Sequence, residues 1–484
     1  MNTLSIASVV AVLTSSAALA QDTSLMRVFP DTVEAPRMTW DSGVKVDDIE
    51  TYRSFRAQGD FGILNAGELE VEAGTGGMIS KAQDPVFEAA AAPVRVASRQ
   101  VSLVAARWIV DAVLTRTPVF ALCDDAGGVL DMSMDDVRMI AAGPTGNFLA
   151  EADRLSLQAS IITTPSGCSL EARLAVTGLM IALPSGAGLQ TAAGTIDLTM
   201  PGDIAMLEAP SGRDMTISGR FEEFTPRVPG GASAATFARL NVDQEIDAAT
   251  LAPLLTALLR SSRAENAPLT GRDALSALTA IDTTLSVSAE GAAISTANAL
   301  PVRYTQRLSD ANLSTILGNM GWGLEIAEGR LSLDARADFT GVSRSRIAAE
   351  ARIPRDFHAP ADVAPVSVEV HHVDRGLLRN FEFVHGADMS VFLARLQREG
   401  LSGIPEAARG DAREALTDLA RFFMVSTAET GTVLRADQTE TLSIRDIATL
   451  ARSRPDVLDD LFEITIEPGR MDREGSAPSA GEGP

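Results

Sequence analysis

Apolar and polar residues alternate one by one along much of this chain, and this period of two constrains the fold more than any other feature. The alternation is regular over residues 155–161, 170–176 and 331–339, where the last run reads LSLDARADF. Because successive side chains of a strand point to opposite faces, each run predicts a strand with one apolar and one polar face. Proline-serine-glycine turn signals at 165–167 and 184–186 separate neighbouring runs. We therefore expect an antiparallel meander.

Helical periodicity interrupts the strands in a few places. Leucines at helical spacing occupy residues 251–259, a short helix is predicted over 309–317, and the longest helical block covers 388–425. Ser443, with Asp446 three residues later, predicts a capping box at the start of a further helix. The expected fold class is therefore α+β, with a large curved antiparallel β-sheet (a meander) and amphipathic helices covering part of one face.

The same patterns divide the chain into segments with soft boundaries. We expect the following order: a signal peptide at 1–20, a β-rich region at 21–230, a helical insertion at 231–281, a second β-rich region at 282–385, a helix-rich C-terminal region at 386–470 and a disordered tail at 471–484. The tail, MDREGSAPSAGEGP, is of low complexity.

The N-terminus has the pattern of a secretory signal. Residues 4–13 are mostly apolar, and Ala18-Leu19-Ala20 forms an A-x-A cleavage pattern before Gln21. The apolar stretch is shorter than the ~20 residues that a membrane-spanning helix needs, although a retained anchor is the alternative. No later segment is long and apolar enough to span a membrane. Almost all basic residues are arginines, which indicates a GC-rich bacterial genome, so we expect export to the periplasm.

The two cysteines, Cys123 and Cys168, are predicted to form a disulfide. An even number of cysteines in an oxidising compartment favours a bridge, and they are too far apart for a C-x-x-C redox motif. Closing a loop of this length would stabilise the fold by ~4 kcal/mol in the chain-entropy model.

Composition and missing motifs exclude several functions. A net charge of −23 without a basic cluster argues against nucleic-acid binding. The sequence has no P-loop, no G-x-S-x-G elbow and no H-E-x-x-H zinc helix, so we expect no enzyme activity and no cofactor. Trp322 stands between two glycines and is interpreted as a packing anchor.

The histidines are the one cluster that could hold a metal ion. All four lie close together in sequence: His358, His371, His372 and His385. Adjacent histidines on a strand point to opposite faces, so His371 and His372 cannot chelate one ion together. We therefore expect no metal site and interpret these side chains as solvated or at the edge of a core.

An export signal, many short amphipathic strands such as RLSLDARADF and a helical block resemble large β-rich periplasmic proteins of alphaproteobacteria. The same features are similar to the periplasmic portions of AsmA-like and YdgA-like envelope proteins. This resemblance covers roughly residues 60–470 and implies a role in the cell envelope. It assigns no functional residues.

Together these features predict a non-catalytic periplasmic protein that binds lipid or a hydrophobic partner in an apolar groove of the sheet. A structural or assembly module that holds an envelope protein partner is the second hypothesis. An unrecognised hydrolase is the third, and it requires a polar pocket in which histidine and carboxylate side chains converge.

Overall fold

A computed structural model describes most of the predicted strands. The described residues are these: 37–59, 62–74, 77–90, 93–106, 129–143, 146–164, 167–201, 214–229, 235–247, 250, 281–295, 315–354, 359–376, 391, 394, 398, 410, 413, 417, 422, 431–454 and 457–469. The chain divides into two compact units, unit 1 from Met1 to Ala252 and unit 2 from Pro253 to Pro484.

Unit 1 contains fourteen described strands, and the alternating runs at 155–161 and 170–176 lie within two of them. They are β1 (Arg37–Thr39), β2 (Ser42–Val46), β3 (Ile49–Gly59), β4 (Gly62–Gly74), β5 (Gly77–Gln83), β6 (Val86–Ala89), β7 (Val94–Ala97), β8 (Gln100–Ala106), β9 (Val129–Gly143), β10 (Gly146–Thr164), β11 (Gly167–Ala182), β12 (Gly188–Pro201), β13 (Asp214–Arg227) and β14 (Ala235–Asp247).

Every pairing described in unit 1 is antiparallel. β1 and β2 lie one after the other along the same edge of β3, and β4 forms the other neighbour of β3. Next come β5 with β6, then β7 with β8, and both β7 and β8 pair with β9. From β9 to β14 each strand pairs with the next, which is the meander that the alternation predicts.

Unit 2 is a second antiparallel meander of seven described strands with two short helices. The elements are β15 (Thr283–Ser295), β16 (Thr315–Ala327), β17 (Arg330–Phe339), β18 (Ser343–Arg352), β19 (Ala364–Asp374), β20 (Gly431–Gln438), α1 (Ile444–Ser453), α2 (Leu458–Leu461) and β21 (Phe462–Gly469), with a 3₁₀ turn at Pro360–Asp362. Each strand from β15 to β20 pairs with the next strand in the chain.

A row of left-handed residues crosses the sheet of unit 1, and we call it the kink row. Its members have φ between 49° and 61°: Ser54, Asp84, Asp136, Gly178 and Glu223. Asp84 lies in the turn between β5 and β6. At the four members within strands the regular register is interrupted, as between β9 and β10, where Asp135 pairs with Arg154 and Val137 with Ala152. The alternation shifts by one residue there: in β3, position 52 is buried before the row and position 55 after it. The shift keeps the same face apolar on both sides of the row.

The hydrophobic core lies on that apolar face. It draws large side chains from β3 to β9, and Phe55, Leu69, Leu103 and Met132 are at most 1% exposed. Trp40, just after β1, packs against this cluster, and its ring lies 4.9 Å from that of Tyr52. Burying one such side chain contributes roughly 1.5–3 kcal/mol, so these strands hold much of the stability of unit 1.

The predicted α+β class is wrong, because the chain is predominantly β. β14 lies inside residues 231–281, which the leucine spacing at 251–259 led us to predict as a helical insertion. The helix predicted over 309–317 is wrong at its end, since Thr315, Ile316 and Leu317 belong to β16. In both places the alternation was present but short, and neighbouring helical spacing outweighed it.

The helical features are only partly as predicted. Ser443 caps α1 as predicted. Its hydroxyl accepts a hydrogen bond from the Asp446 backbone N–H at 3.1 Å, and the Asp446 carboxylate accepts one from the Ser443 backbone N–H. Seven described positions between 391 and 422 are helical. Among these positions Phe422 is buried, whereas Val391 is 57% exposed.

Candidate binding surface

One face of unit 2 is apolar across all seven strands. Two rows of directly opposed residues cross the sheet, and we call their fourteen members the unit 2 apolar face. The first row is Val287, Trp322, Ala335, Ile347, Val370, Leu434 and Ile466; the second is Leu285, Leu324, Leu333, Ala349, Val368, Ala436 and Ile464. Directly opposed side chains share a face, so these rows form a continuous apolar strip.

The unit 2 apolar face is partly open to solvent. None of its fourteen residues is buried, and three are exposed: Trp322 at 39%, Ile347 at 41% and Ile464 at 57%. Trp322, interpreted from the sequence as a packing anchor, instead presents its ring at this surface. Exposed contiguous apolar surface of this kind marks a site of interaction with a ligand or partner.

The strip is covered at one end. The next row includes Ser345, His372 and Thr432, and the last two are buried. The ring of Phe422, from the helical block, lies 5.8 Å from the His372 imidazole. This aromatic contact closes the end of the sheet nearest His372.

Ser345 and His372 do not have the geometry of a hydrolase pair. The Ser345 hydroxyl and His372 Nδ1 share a hydrogen bond of 3.0 Å, whereas a catalytic serine bonds Nε2 and leaves Nδ1 to the carboxylate. Burial lowers the pKa of His372, and the nearby Asp374 carboxylate opposes this shift only in part. The arrangement favours a neutral imidazole that packs beneath Phe422.

The opposite face of β17 to β20 carries charges, and we call it the charged face. Three carboxylates on it each lie between two basic side chains, an arrangement we call a clamp. The clamps are Asp334 with Arg336 and Arg346, Asp338 with Arg344 and Arg375, and Glu369 with His371 and Arg435. Each clamp joins neighbouring strands, and the one at Asp338 of β17 also reaches Arg375 in the turn after β19. The ion pairs therefore link the strands of the ladder on this face.

Short contacts define the clamp at Asp334. Arg346 Nη2 donates to Asp334 Oδ2 at 2.6 Å, and Arg336 Nε donates to Oδ1 at 3.1 Å. Burial alone would raise the pKa of Asp334, but the hydrogen bonds from Arg346 and Arg336 outweigh it and hold the pKa below its usual value. Asp334 in turn raises the pKa of Arg346.

The clamp at Glu369 resembles the one at Asp334, because two basic side chains contact its carboxylate and lower its pKa. Arg435 Nε donates to Glu369 Oε2 at 2.6 Å, and His371 Nε2 lies 2.5 Å from Oε1. The hydrogen bond from Arg435, followed by that with His371, lowers the pKa of Glu369. All three carboxylates are therefore satisfied within the sheet and do not form a catalytic pair.

Among its described residues, unit 1 holds one buried carboxylate that the sequence did not single out. Glu50 is 4% exposed, Lys45 Nζ donates to its Oε1 at 3.0 Å, and Tyr52 Oη donates to its Oε2 at 2.5 Å. Both oxygens therefore have strong donors, as a buried charge requires. The group joins the edge strand β2 to β3 and positions the ring of Tyr52 in the core.

The residues singled out in the sequence are only partly described. His371 and His372 lie on opposite faces of β19, one in the charged face and one beneath Phe422. His358 and His385 lie outside the described residues, as does Cys123. Cys168 lies in β11 opposite Thr163. The disulfide therefore stays a prediction.

Within the described residues no group of three or more histidine, cysteine or acidic side chains could hold a metal ion. No helix within the same residues is long and apolar enough to cross a membrane.

No protein-family model matches the chain, and no curated protein matches it. The surface must therefore be interpreted from its own geometry. Alternation in the sequence identified the strands that build it, but the rows depend on register, which only the pairing of neighbouring strands sets.

Proposed function

We propose that this protein is a non-catalytic component of the bacterial envelope compartment that binds acyl chains on the unit 2 apolar face. The observation that supports this function is the openness of two seven-residue apolar rows in a strand ladder whose other face is charged. Leaving such a surface in water costs about 25 cal/mol for each Å² of apolar area. Covering it with a ligand recovers that free energy.

The chemistry of the rows favours hydrocarbon. Apart from Trp322, every side chain in them is aliphatic, so the strip offers almost no hydrogen bonds to a polar ligand. Seven strands about 4.8 Å apart make a strip about 29 Å long. This exceeds the length of one acyl chain in a bilayer leaflet, which is about 15 Å.

The proposed location rests on the N-terminal sequence. The apolar residues 4–13 and the cleavage pattern before Gln21 support export and removal of a signal peptide. Cell fractionation with N-terminal sequencing of the full chain tests this part of the proposal. A mature protein that begins at Gln21 in the periplasmic fraction is expected, and a cytoplasmic protein with an intact N-terminus would contradict it.

Acyl binding is tested with a fluorescent fatty acid and two matched variants of the full chain. Ile347 and Ile79 are both 41% exposed, but Ile347 lies in the unit 2 apolar face and Ile79 lies on the outer face of β5. We expect Ile347→Glu to weaken binding at least about tenfold, because the carboxylate must lose water against hydrocarbon. Ile79→Glu should leave binding unchanged.

Native mass spectrometry of the wild-type protein completes the test. Co-purified lipid or uptake of fatty acid is expected, together with protection of Trp322 from a soluble quencher. Failure of the wild-type protein to take up any acyl compound would refute the function. Equal weakening by the two variants would refute the assignment to this face.

A further inference from the structure

The three clamps of the charged face follow one rule: a carboxylate occupies the space between two basic side chains. A fourth pair of cations in the same ladder breaks this rule. Arg330, the first residue of β17, lies directly opposite Arg352, the last residue of β18. Both side chains are exposed and lie on the same face as Asp334 and Arg346.

No acid of the described residues bridges this fourth pair. Glu350 lies on the same face, two residues before Arg352, but it forms no ion pair with either guanidinium among the described contacts. Like charges directly opposite each other in a ladder are destabilising. A chain with 64 acidic and 41 basic residues could readily have placed a carboxylate here.

Guanidinium groups suit one class of ligand at this position. Each presents a planar fork of donors that matches the oxygens of a phosphate or carboxylate, and two forks can hold the same anion. We propose that Arg330 and Arg352 form a binding site for the phosphate group of an external ligand. The anion takes the place that Asp334 occupies in the neighbouring clamp.

The position of the pair relates it to the unit 2 apolar face. Leu331 and Ala351 pair in the row next to Leu333 and Ala349, so the apolar surface reaches the strand ends where Arg330 and Arg352 lie. This is the end of the sheet away from Phe422. The arginines lie on the charged face at the strand ends, so one ligand can reach both features only by passing around those ends. If the proposed function holds, on which this step rests, the ligand is an amphiphile with its phosphate at the arginines and an acyl chain that passes around the strand ends onto the strip.

Calorimetric titration of the full chain tests the site with three probes: inorganic phosphate, oleic acid and oleoyl lysophosphatidic acid. The test variant is Arg330→Gln/Arg352→Gln, and the control is Arg56→Gln/Arg220→Gln, which removes two exposed arginines of unit 1. We expect the test variant to bind phosphate-bearing probes at least about tenfold more weakly. The control, with the same net charge, should bind them as the wild-type protein does.

The probes separate the source of the phosphate from the site itself. Tight binding of lysophosphatidic acid that both Ile347→Glu and the arginine variant weaken identifies a lipid headgroup. Arginine-dependent binding of inorganic phosphate without binding of either acyl probe supports the site and refutes the acyl function. No binding of any phosphate-bearing probe to the wild-type protein, or equal loss in test and control variants, overturns the site.

A single charge reversal gives a second readout. Arg330→Glu places a carboxylate opposite Arg352 and so replaces the like-charged pair with an ion pair within the chain. Phosphate binding should be lost while the thermal midpoint stays equal or rises. A lowered midpoint with phosphate binding retained would show that the pair has a structural role instead.

Discussion

Leu69 in unit 1 and Leu333 in unit 2 both lie on the apolar face of an antiparallel ladder, yet their surroundings differ. Leu69 is 0% exposed within a cluster of side chains from β3 to β9, whereas Leu333 is only partly buried in a row open to solvent. The cluster in unit 1 includes large side chains such as Phe55 and Phe87. The unit 2 apolar face is mostly valine, alanine, leucine and isoleucine.

The comparison shows that alternation in the sequence predicts which face of a sheet is apolar, but not whether other side chains bury that face. Both ladders follow the same period of two, so both predict one apolar side. In unit 1 that side is closed over β3 to β9 by its own side chains, and there it serves stability. In unit 2 it remains available at Trp322, Ile347 and Ile464, and we interpret it as a binding surface.

The largest expected effect separates the two faces directly. Leu69→Ala should lower the free energy of unfolding by about 3–4 kcal/mol, because it leaves a cavity in a closed core. Leu333→Ala, the matched change in unit 2, should cost about 1 kcal/mol or less, since part of the side chain already contacts water. Urea denaturation followed by circular dichroism measures both, and equal costs would break the comparison.

The kink row provides the next test. Ser54 has φ of 53° and is exposed, so its conformation rather than its contacts should decide the outcome. Ser54→Val should cost about 1–2 kcal/mol, because a β-branched residue fits the left-handed region poorly. Ser54→Gly should be neutral or stabilising.

Ser133→Val is the control, because Ser133 lies in a regular part of β9 where valine suits the strand. Thermal unfolding of the three variants is compared with that of the wild-type protein. A Ser54→Val protein as stable as the Ser133→Val protein would show that the kink row carries no strain.

A smaller effect is expected at the covered end of the unit 2 apolar face. Burial lowers the pKa of His372, so the unfolded chain binds more protons below about pH 6.5 and stability falls as the pH decreases through that value. His372→Gln should remove this part of the acid sensitivity, whereas His371→Gln should retain it. Thermal midpoints measured from pH 7.5 to 5 decide the matter: identical profiles for both variants would contradict the packing role of His372.

The smallest effect concerns the charged face. Because Arg435 and His371 lower the pKa of Glu369, the clamp stabilises the fold above about pH 4.5 and loses this contribution as acid protonates the carboxylate. Glu369→Gln should lower the thermal midpoint slightly at pH 7 and flatten the profile below pH 4.5, and added salt should shrink the difference. An unchanged acid profile in Glu369→Gln would show that the clamp is energetically silent.

The sequence predicted local features well where one pattern acted alone. Runs such as residues 331–339 became strands, and Ser443 with Asp446 became a helix cap. The helical interpretation failed at Ile316 and Leu317, where a short apolar stretch fits both periods and pairing with β15 and β17 decides.

Features that depend on the pairing of several strands could not be predicted from the sequence. The rows through Trp322 and the facing pair Arg330 and Arg352 exist only in one register, and register follows from turns and neighbours. The kink row did leave a signal in the sequence. Leu130, Met132 and Met134 occupy even-numbered positions before the row, whereas the apolar Val137 after it occupies an odd-numbered one. A one-residue shift of the apolar positions in several consecutive strands could have identified the row.

The kink row also restricts how this sheet can change over evolutionary time. Each strand that crosses it has two halves whose apolar residues are out of step by one position, as on the two sides of Asp136. Loss of one residue from either half would move the apolar side chains of that half to the opposite face of the sheet, while those of the neighbouring strands kept their face. Insertions and deletions are therefore confined to the loops, and the strands can only keep their lengths or alter them together.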